Sequence, residues 1–203
     1  GGYDGKGVQL LRRADDLDRL WDVPSYLEPA LDPVRELSVV VCRDRTGALA
    51  HYPPVSMTFD DRYNAVHSVT SPAEASPELI SEARRIALDA ISRLDTPGVF
   101  AVELFVDSTD HVTINEISPR VHNSGHLTLE AFDHSQFEQH VRAVMGLPLA
   151  PIEAAAPASA AFCMRRRSVS IFPASMAMAK KSRNTTISIA TCTSTCPFRV
   201  RPV

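Results

Sequence analysis

The stretch that decides the fold is residues 98–126, which read Gly98-Val-Phe-Ala-Val-Glu-Leu-Phe-Val-Asp-Ser-Thr-Asp-His-Val-Thr-Ile-Asn-Glu-Ile-Ser-Pro-Arg-Val-His-Asn-Ser-Gly-His126. Residues 98–106 and 111–117 have the apolar composition of strands, and the polar residues between them suit a short turn. The pattern therefore predicts an antiparallel hairpin. One glutamate interrupts each strand, Glu103 in the first and Glu116 in the second.

These two carboxylates need compensation if the hairpin is buried. An unpaired carboxylate on a buried strand costs on the order of several kcal/mol. The predicted turn brings Glu103 and Glu116 close together, where their charges repel. A Mg²⁺ ion would relieve both problems, because it prefers oxygen ligands and bridges carboxylates to substrate phosphates. On these residues alone, two surface glutamates on a sheet edge are an equally good interpretation.

The loop after the second strand, residues 119–126, is dense in polar side chains, as expected of a ligand site. Arg120 can bind a phosphate or carboxylate through two hydrogen bonds. The side chains suited to hydrogen-bond a polar substrate are His122, Asn123 and Ser124. Zinc binding by His122 and His126 is disfavoured, because Gly125 argues against a helix and the other ligands of a tetrahedral site are absent.

The remaining elements follow from apolar periodicity. Further strands are predicted at 25–28, 36–43 and 48–52, with the run 37–42 buried on both faces. Helices are predicted at 14–21, 77–94 and 135–145. The first helix is expected to turn Leu17 and Leu20 inward, and the last to end at Gly146. This order of elements predicts an α+β domain on an antiparallel sheet.

Bulk composition excludes several classes of protein. The chain has 203 residues, of which 44% are hydrophobic and 22% charged, with a formal net charge of -3. Such a charge gives no nonspecific attraction to nucleic acid or anionic membranes. No apolar run reaches the roughly 18 residues of a membrane helix, and no signal peptide is visible. Four cysteines without Cys-x-x-Cys spacing favour a reduced, cytoplasmic protein.

The chain opens on a glycine-rich loop, residues 1–7, and has no initiator Met, so it is expected to be a fragment. Glycine lets the backbone approach a polyanion and present its amides to phosphate oxygens. Lys6 could add positive charge, and Asp4 could orient a substrate. Taken alone, this loop is better read as a solvated turn, because short glycine-rich loops are weak evidence.

Together these residues resemble the ATP-grasp superfamily, and within it the N5-carboxyaminoimidazole ribonucleotide synthetases. The resemblance covers residues 1 to about 150, and is carried by residues 1–7, Glu28, 35–38, 102–105, 115–126 and 135–149. It implies part of an ATP-grasp lid subdomain in 1–30 and the catalytic subdomain in 31–150. The atypical tail, 151–203, lacks the Tyr-Gly-Lys segment of the family's C-terminal region. It is interpreted as disordered, because it has few large apolar residues and no sustained period, or as frameshifted, because a shifted reading of Ser175–Lys181 permits such a segment. The family's N-terminal nucleotide-fold domain is also missing.

The resemblance implies carboxylation of 5-aminoimidazole ribonucleotide to N5-carboxyaminoimidazole ribonucleotide through carboxyphosphate, with release of ADP and phosphate, in de novo purine biosynthesis. The implied ligands are ATP, bicarbonate and aminoimidazole ribonucleotide, with Mg²⁺ or alternatively Mn²⁺. The implied parent protein is a cytoplasmic homodimer that binds neither nucleic acid nor membranes.

The resemblance also implies residue roles. ATP would contact Gly2, Gly5, Lys6, Glu28, Glu36, Asn115 and Glu116, with Glu28 at the adenine and Glu36 at the ribose. The metal would be held by Glu103 and Glu116. The substrate would be bound by Tyr3, Asp4, Arg120, His122, Asn123 and Ser124. The catalytic residues would be Arg120, Lys6 and Asp4.

Two alternatives are kept. The chain could be a non-catalytic ATP-binding fragment of such an enzyme, because its resemblance omits whole domains of the family. It could also be a relative of the formate-dependent glycinamide ribonucleotide transformylases, which share the Glu…Glu-x-x-Pro-Arg framework. Those enzymes are expected to carry a Pro-Arg-Pro-His-Asp-Thr-Gly loop, which differs from the loop at 119–126.

Overall fold

A computed structural model describes residues 9–11, 14–20, 22–31, 33–60, 65–155, 157–162, 169–173 and 198–202. The strands are β1 (Gln9–Leu10), β2 (Ser25–Pro29), β3 (Arg35–Arg43), β4 (Leu49–His51), β5 (Val55–Asp60), β6 (Ala65–Ser71), β7 (Gly98–Val106), β8 (Val112–Ser118), β9 (Ala158–Phe162), β10 (Val169–Pro173) and β11 (Phe198–Pro202). The helices are α1 (Pro77–Ser92), α2 (Thr128–Ala131) and α3 (Gln136–Met145), with short 3-10 segments at Ala14–Arg19 and Asn123–Gly125.

The main sheet has eight strands in the order β10-β9-β6-β5-β3-β7-β8, with β4 paired separately to β3. Its pairings are antiparallel. A second sheet has the order β1-β11-β2. The predicted α+β class is therefore confirmed, and the hairpin of β7 and β8 follows the predicted boundaries to within one residue.

Strand β3 runs through the middle of the core, and every residue of 37–42 is buried, as predicted. Because side chains alternate between faces, Leu37, Val39 and Val41 pack towards α1. Val40 and Cys42 pack on the other face, in a cluster with side chains of α2 and its flanking loop. Burial raises the pKa of the Cys42 thiol to about 12, so this cysteine stays protonated and serves as a small core residue.

The two long helices begin as the sequence signals indicate, and α3 also ends where predicted. Ser76 caps α1, its hydroxyl accepting the Leu79 backbone N–H at 3.2 Å, and the helix buries a stripe of one face against the sheet. Ser135 caps α3 in the same way, accepting the Glu138 N–H at 3.3 Å. Gly146 ends α3 in the left-handed conformation, with φ of 75°. Helix α1 ends at Ser92, two residues earlier than predicted.

The predicted inward helix at 14–21 is wrong. Ala14–Arg19 forms only a 3-10 segment, and the side chains of Leu17 and Leu20 are 54% and 39% exposed. Six residues with three aspartates cannot present an apolar stripe long enough to pack. Trp21 lies outside the described residues. Strands β5 and β6, which the sequence analysis does not predict, fill the sheet between β3 and β9.

The region after residue 150 joins the main sheet at least in part. Strand β9 pairs with β6 from Ala158↔Ser71 to Ala161↔Ser68. Ala158 and Ala160 are buried in the same cluster as Val40. Small side chains thus complete an existing core rather than build a new one. The division at residue 151 stays a prediction. Within the described ranges, no helix combines the length and apolarity needed to cross a membrane.

Candidate functional site

One face of the central sheet changes from apolar to polar along its length. On β3, alternation places Glu36 and Ser38 on the same face as the buried Val40. Strand β7 pairs with β3 in a register that sets Ser38 opposite Glu103, and Glu36 opposite Phe105. The part of this face around Val40 is therefore covered by the loop and helices, whereas the part beyond it is polar. The carboxylates predicted from the sequence lie together in that polar part.

The β7–β8 hairpin sets Glu103 directly opposite Glu116. Directly opposed Cβ atoms in antiparallel strands lie about 4.5–5.5 Å apart, so the predicted proximity of the two carboxylates is confirmed. The register shifts after this pair, because Leu104 pairs with Ile114 and Asn115 is the extra residue of a bulge. The Asn115 amide consequently reaches the Glu103 carboxylate, with Nδ2 3.4 Å from Oε2.

Glu103 also accepts from a buried histidine. The His122 Nε2 lies 3.1 Å from Glu103 Oε1, and the two side chains are 9% and 15% exposed. The Ser124 backbone N–H donates to His122 Nδ1 at 3.3 Å. Since a backbone N–H only donates, Nδ1 acts as an acceptor and the ring proton is assigned to Nε2. His122 is thereby a neutral donor to Glu103, which leaves the carboxylate its negative charge.

A serine pair extends this arrangement into the core. Ser124 Oγ lies 3.0 Å from His122 Nδ1 and 2.8 Å from Ser38 Oγ. Ser38 and Ser124 are 0% and 1% exposed. The chain of contacts Ser38–Ser124–His122–Glu103 therefore links β3, the loop and β7 through hydrogen bonds only. Ser38 is not among the residues assigned a role from the sequence, since its partner is 86 positions away.

Gln136, the first residue of α3, forms hydrogen bonds with the backbone of the polar loop, residues 119–126. Its Oε1 accepts the His122 backbone N–H at 3.0 Å, and its Nε2 donates to the His122 carbonyl at 2.7 Å. Gln136 is fully buried. It is not among the predicted site residues, although a signal exists, because α3 buries Gln136, Gln139 and Ala143 at i, i+3 and i+7. Two glutamines on the apolar face of an amphipathic helix indicate buried hydrogen bonds.

A cleft of about 330 Å³ adjoins the carboxylate pair. Its lining residues are Glu28, Pro29, Leu31, Pro33, Phe105, Asp107, His111, Thr113, Ile114 and Asn115. Most of the exposed wall surface is apolar, as is usual for small-molecule sites, while five of the ten lining residues carry polar side chains. Asn115 lines this cleft and also contacts Glu103, so a ligand in the cleft would reach towards the carboxylates.

The structure distributes the other predicted residues unevenly. Arg120 is exposed, and its Nη1 donates to the Val121 carbonyl at 3.2 Å. Asn123 and Ser124 lie in the 3-10 turn, the first half-buried and the second buried. The half-buried Glu36 lies on the carboxylate face. The predicted residues Gly2, Tyr3, Asp4, Gly5 and Lys6 lie outside the described residues.

The histidines of the polar loop, His122 and His126, are not arranged as the ligands of a zinc site. The Nδ1 of His126 lies 2.8 Å from the His122 carbonyl, so this nitrogen donates to the backbone. The same ring meets Phe137 edge-on, with 5.4 Å between centroids. Across the described parts of the chain, no group of three or more His, Cys, Asp or Glu side chains is arranged to hold a metal ion. Any cation here would rely on Glu103, Glu116 and oxygens of its own ligand.

Comparison with known proteins gives consistent matches. The model of a family described as ATP-grasp domain matches residues 1–137. Phosphoribosylaminoimidazole carboxylase, chloroplastic, from Vigna aconitifolia is 37% identical over 163 residues, which are 77% of this chain and 29% of that protein. N5-carboxyaminoimidazole ribonucleotide synthase from Mycobacterium leprae is 38% identical over 164 residues, 77% of this chain and 37% of that protein.

A solved structure extends the likeness to the fold. Carboxyaminoimidazole ribonucleotide synthase from Aspergillus clavatus, complexed with ATP, is 27% identical with a TM-score of 0.73, covering 100% of this chain and 55% of that chain. The chain spans about a third of the length of the curated relatives described above.

Proposed function

This chain belongs to the ATP-grasp family, and on that premise we propose that it supplies the metal–nucleotide site of an ATP-dependent carbon–nitrogen ligase. The proposed reaction is the bicarbonate-dependent carboxylation of 5-aminoimidazole ribonucleotide to N5-carboxyaminoimidazole ribonucleotide in purine biosynthesis. The observation that carries the proposal is the opposed pair Glu103 and Glu116 beside an apolar cleft. The names of the relatives support the choice of substrate.

The carboxylate pair fits a hard divalent cation. Glu103 and Glu116 would hold Mg²⁺, or Mn²⁺ in its place, because such ions take carboxylate oxygens and complete their coordination with phosphates. The donors that face Glu103, namely the His122 imidazole and the Asn115 amide, are neutral. They orient the carboxylate without cancelling its charge. Such an ion would supply positive charge that offsets the negative charge of the nucleotide phosphates.

The cleft suits the nucleoside part of ATP. Its apolar walls, which include Phe105 and Ile114, can enclose a planar base, and Glu28 can hydrogen-bond the edge of that base. Asn115 leads from the cleft to Glu103, so the phosphates would extend towards the carboxylates. We assign Glu36 to the ribose hydroxyls. The glycine-rich loop, with Gly2, Gly5 and Lys6, is assigned to the phosphates.

The polar loop would receive the second substrate. Exposed Arg120 can bind a phosphate or carboxylate through a pair of hydrogen bonds, and Asn123 lies on the same loop. Tyr3, Asp4, His122 and Ser124 complete the proposed substrate set. Both ring nitrogens of His122 already bond protein groups, so this residue would act on the substrate only by exchanging a partner. Arg120, Lys6 and Asp4 are the proposed catalytic residues.

The proposed reaction proceeds in two steps. A bicarbonate oxygen attacks the γ-phosphorus, the bond to ADP breaks, and carboxyphosphate forms. The substrate amine then attacks the carboxyl carbon, phosphate leaves and the amine loses a proton. In such transfers the protein mainly positions the reactants and neutralises charge. Since carboxyphosphate hydrolyses readily, the site must exclude water, and the glycine-rich loop is proposed as its cover.

The organisation of the parent protein is part of the proposal. Residues 1–30 would belong to the lid subdomain, 31–150 to the catalytic subdomain, and 151–203 to an atypical tail. The parent would be a cytoplasmic homodimer without nucleic-acid or membrane partners. The modest net charge of -3 supports the last point.

Isothermal titration with Mg²⁺-ADP tests the nucleotide site. We expect Glu116→Gln to weaken binding by about tenfold or more, because Glu116 is one of the two carboxylates proposed to hold the ion, and even outer partners of metal sites commonly contribute about 10–100-fold. The matched control is Glu74→Gln, which removes an exposed carboxylate that precedes α1 and does not line the cleft. Equal affinity of Glu116→Gln and the wild type would remove Glu116 from the metal site.

Turnover separates an active ligase from a chain that only binds nucleotide. The proposal expects ADP release that depends on both bicarbonate and aminoimidazole ribonucleotide, and that Glu116→Gln abolishes. Nucleotide binding without such release would instead support the ATP-binding alternative.

A further inference from the structure

We infer that Gln136 is a positioning residue for the metal–nucleotide site, acting through His122 on the Glu103 carboxylate. This inference rests on the proposed function, because it assigns Glu103 to the metal. Gln136 touches neither carboxylate. Its effect would pass through the backbone of His122, which its side-chain amide binds at two points.

The two hydrogen bonds from the Gln136 amide fix the position and orientation of the His122 backbone. A primary amide that accepts from a backbone N–H and donates to the carbonyl of the same residue mimics the pairing of a neighbouring strand. Both bonds of Gln136 to His122 are buried, with distances of 3.0 and 2.7 Å. His122 sits between Arg120, which is exposed, and Ser124, which is buried, so this clamp lies where the loop leaves the surface.

The clamp is itself held in place. The Gln136 backbone N–H donates to Thr128 Oγ1 at 2.9 Å, and this hydroxyl donates to the Gly125 carbonyl at 2.6 Å. Gly125 lies against the Gln136 amide so closely that a Cβ there would overlap Oε1. The loop therefore fits around the amide on two sides, and the amide has no room to swing away.

Fixing the His122 backbone fixes its ring. The Ser124 N–H donates to Nδ1, which favours the tautomer with hydrogen on Nε2, and this nitrogen lies 3.1 Å from Glu103. The His122 carbonyl also accepts from the Gly125 N–H at 3.0 Å and from His126 Nδ1 at 2.8 Å, whereas the His122 N–H is held by Gln136. Loss of the Gln136 amide would therefore release the N–H side of this residue, and the ring would be freer to rotate or change tautomer. Glu103 would then lose its neutral donor and its fixed orientation. Outer partners of this kind commonly alter metal affinity 10–100-fold.

The chain provides a matched control one turn away. Gln139 is also fully buried on α3, and it makes the same pair of bonds with Ala150, from Nε2 to the carbonyl at 2.7 Å and from the N–H to Oε1 at 3.0 Å. Gln139 therefore matches Gln136 in its burial, in the helix that carries it and in the type of hydrogen bonds that it forms. It differs in holding the segment after α3 rather than the polar loop.

The test compares Gln136→Met with Gln139→Met, since methionine keeps the volume of glutamine without its hydrogen bonds. We expect Gln136→Met to weaken Mg²⁺-ADP binding by about tenfold, and Gln139→Met to leave the affinity unchanged at a similar loss of stability. Gln136→Asn, which keeps an amide but is one methylene too short for both bonds, serves if the methionine variant does not fold.

A ligand-free measurement tests the same inference on its own. In ¹H–¹⁵N spectra, the ring of His122, assigned by its loss in His122→Gln, should show the Nε2–H tautomer in the wild type and in Gln139→Met. In Gln136→Met the two ring-nitrogen shifts should converge as the tautomers mix. An unchanged His122 ring in Gln136→Met overturns the inference, as does an equal loss of affinity in both methionine variants. Failure of the wild type to bind Mg²⁺-ADP would overturn the proposed function instead.

Discussion

Gly125 is the position where a single methyl group should do the most damage to the polar loop. The Gly125 backbone does not lie in the left-handed region, so alanine is compatible with its φ. The obstacle to alanine is the lack of space for its Cβ atom. A Cβ at this position would overlap Oε1 of Gln136 and lie 2.6 Å from its Cδ. The amide cannot retreat without giving up its two buried bonds to His122.

The expected cost of Gly125→Ala follows from those two bonds. A buried hydrogen bond contributes about 1 kcal/mol net, and leaving a buried partner unpaired costs about 1–3 kcal/mol. We therefore expect the free energy of unfolding to fall by about 2–5 kcal/mol, in the range of the larger single-residue effects. For a chain of this length each kcal/mol lowers Tm by about 2–4 °C.

A double-mutant cycle measured by urea denaturation checks the cause. In a Gln136→Ala background the amide is gone, so Gly125→Ala should cost less than about 1 kcal/mol, and the two substitutions should be strongly non-additive. Gly146→Ala is the control, because its cost comes from a φ of 75° at the end of α3 and should be the same in both backgrounds. If Gly125→Ala costs the same with and without Gln136, the steric reasoning is refuted.

Two further predictions concern single contacts. Tyr52→Phe should lower the free energy of unfolding by about 1–2 kcal/mol, because the buried Tyr52 hydroxyl donates to the His134 carbonyl at 2.6 Å; an unchanged urea midpoint would contradict this. The Asp107 turn should weaken in acid, because hydrogen bonds from Thr109 and His111 hold the pKa of the Asp107 carboxyl below its usual value. A lowered folded-state pKa stabilises the protein fully above about pH 4, the ordinary aspartate pKa, and this stabilisation is lost as the pH falls through the folded-state pKa. The stability difference between the wild type and Asp107→Ala should therefore shrink as the pH is lowered below 4, and a constant difference would argue against the carboxylate's role.

The hairpin could be predicted because everything that defines it is local. Two apolar runs joined by a short polar turn pair with each other, and this pairing brings Glu103 and Glu116 near one another. The bulge at Asn115, which the sequence analysis does not predict, then sets the two glutamates directly opposite, because the register of Val106 with Val112 would otherwise place Asn115 opposite Glu103. Helices α1 and α3 were equally accessible, since serine caps and apolar periodicity lie within each segment. Local pattern failed at residues 14–19, where Leu17 looked apolar enough to bury but is 54% exposed among the described residues.

The amino-acid sequence by itself determined the chemistry available to this protein: two carboxylates on adjacent strands and a polar loop directly behind the second. Only the tertiary structure decided how those groups are held. Ser38 and Gln136 reach the loop from β3 and α3, across 86 and 14 positions, and the bulge at Asn115 turns an amide towards Glu103. The physical reason is that side-chain alternation and turn chemistry act between neighbours in the chain, whereas buried hydrogen bonds are chosen by whichever segments the closed sheet brings together.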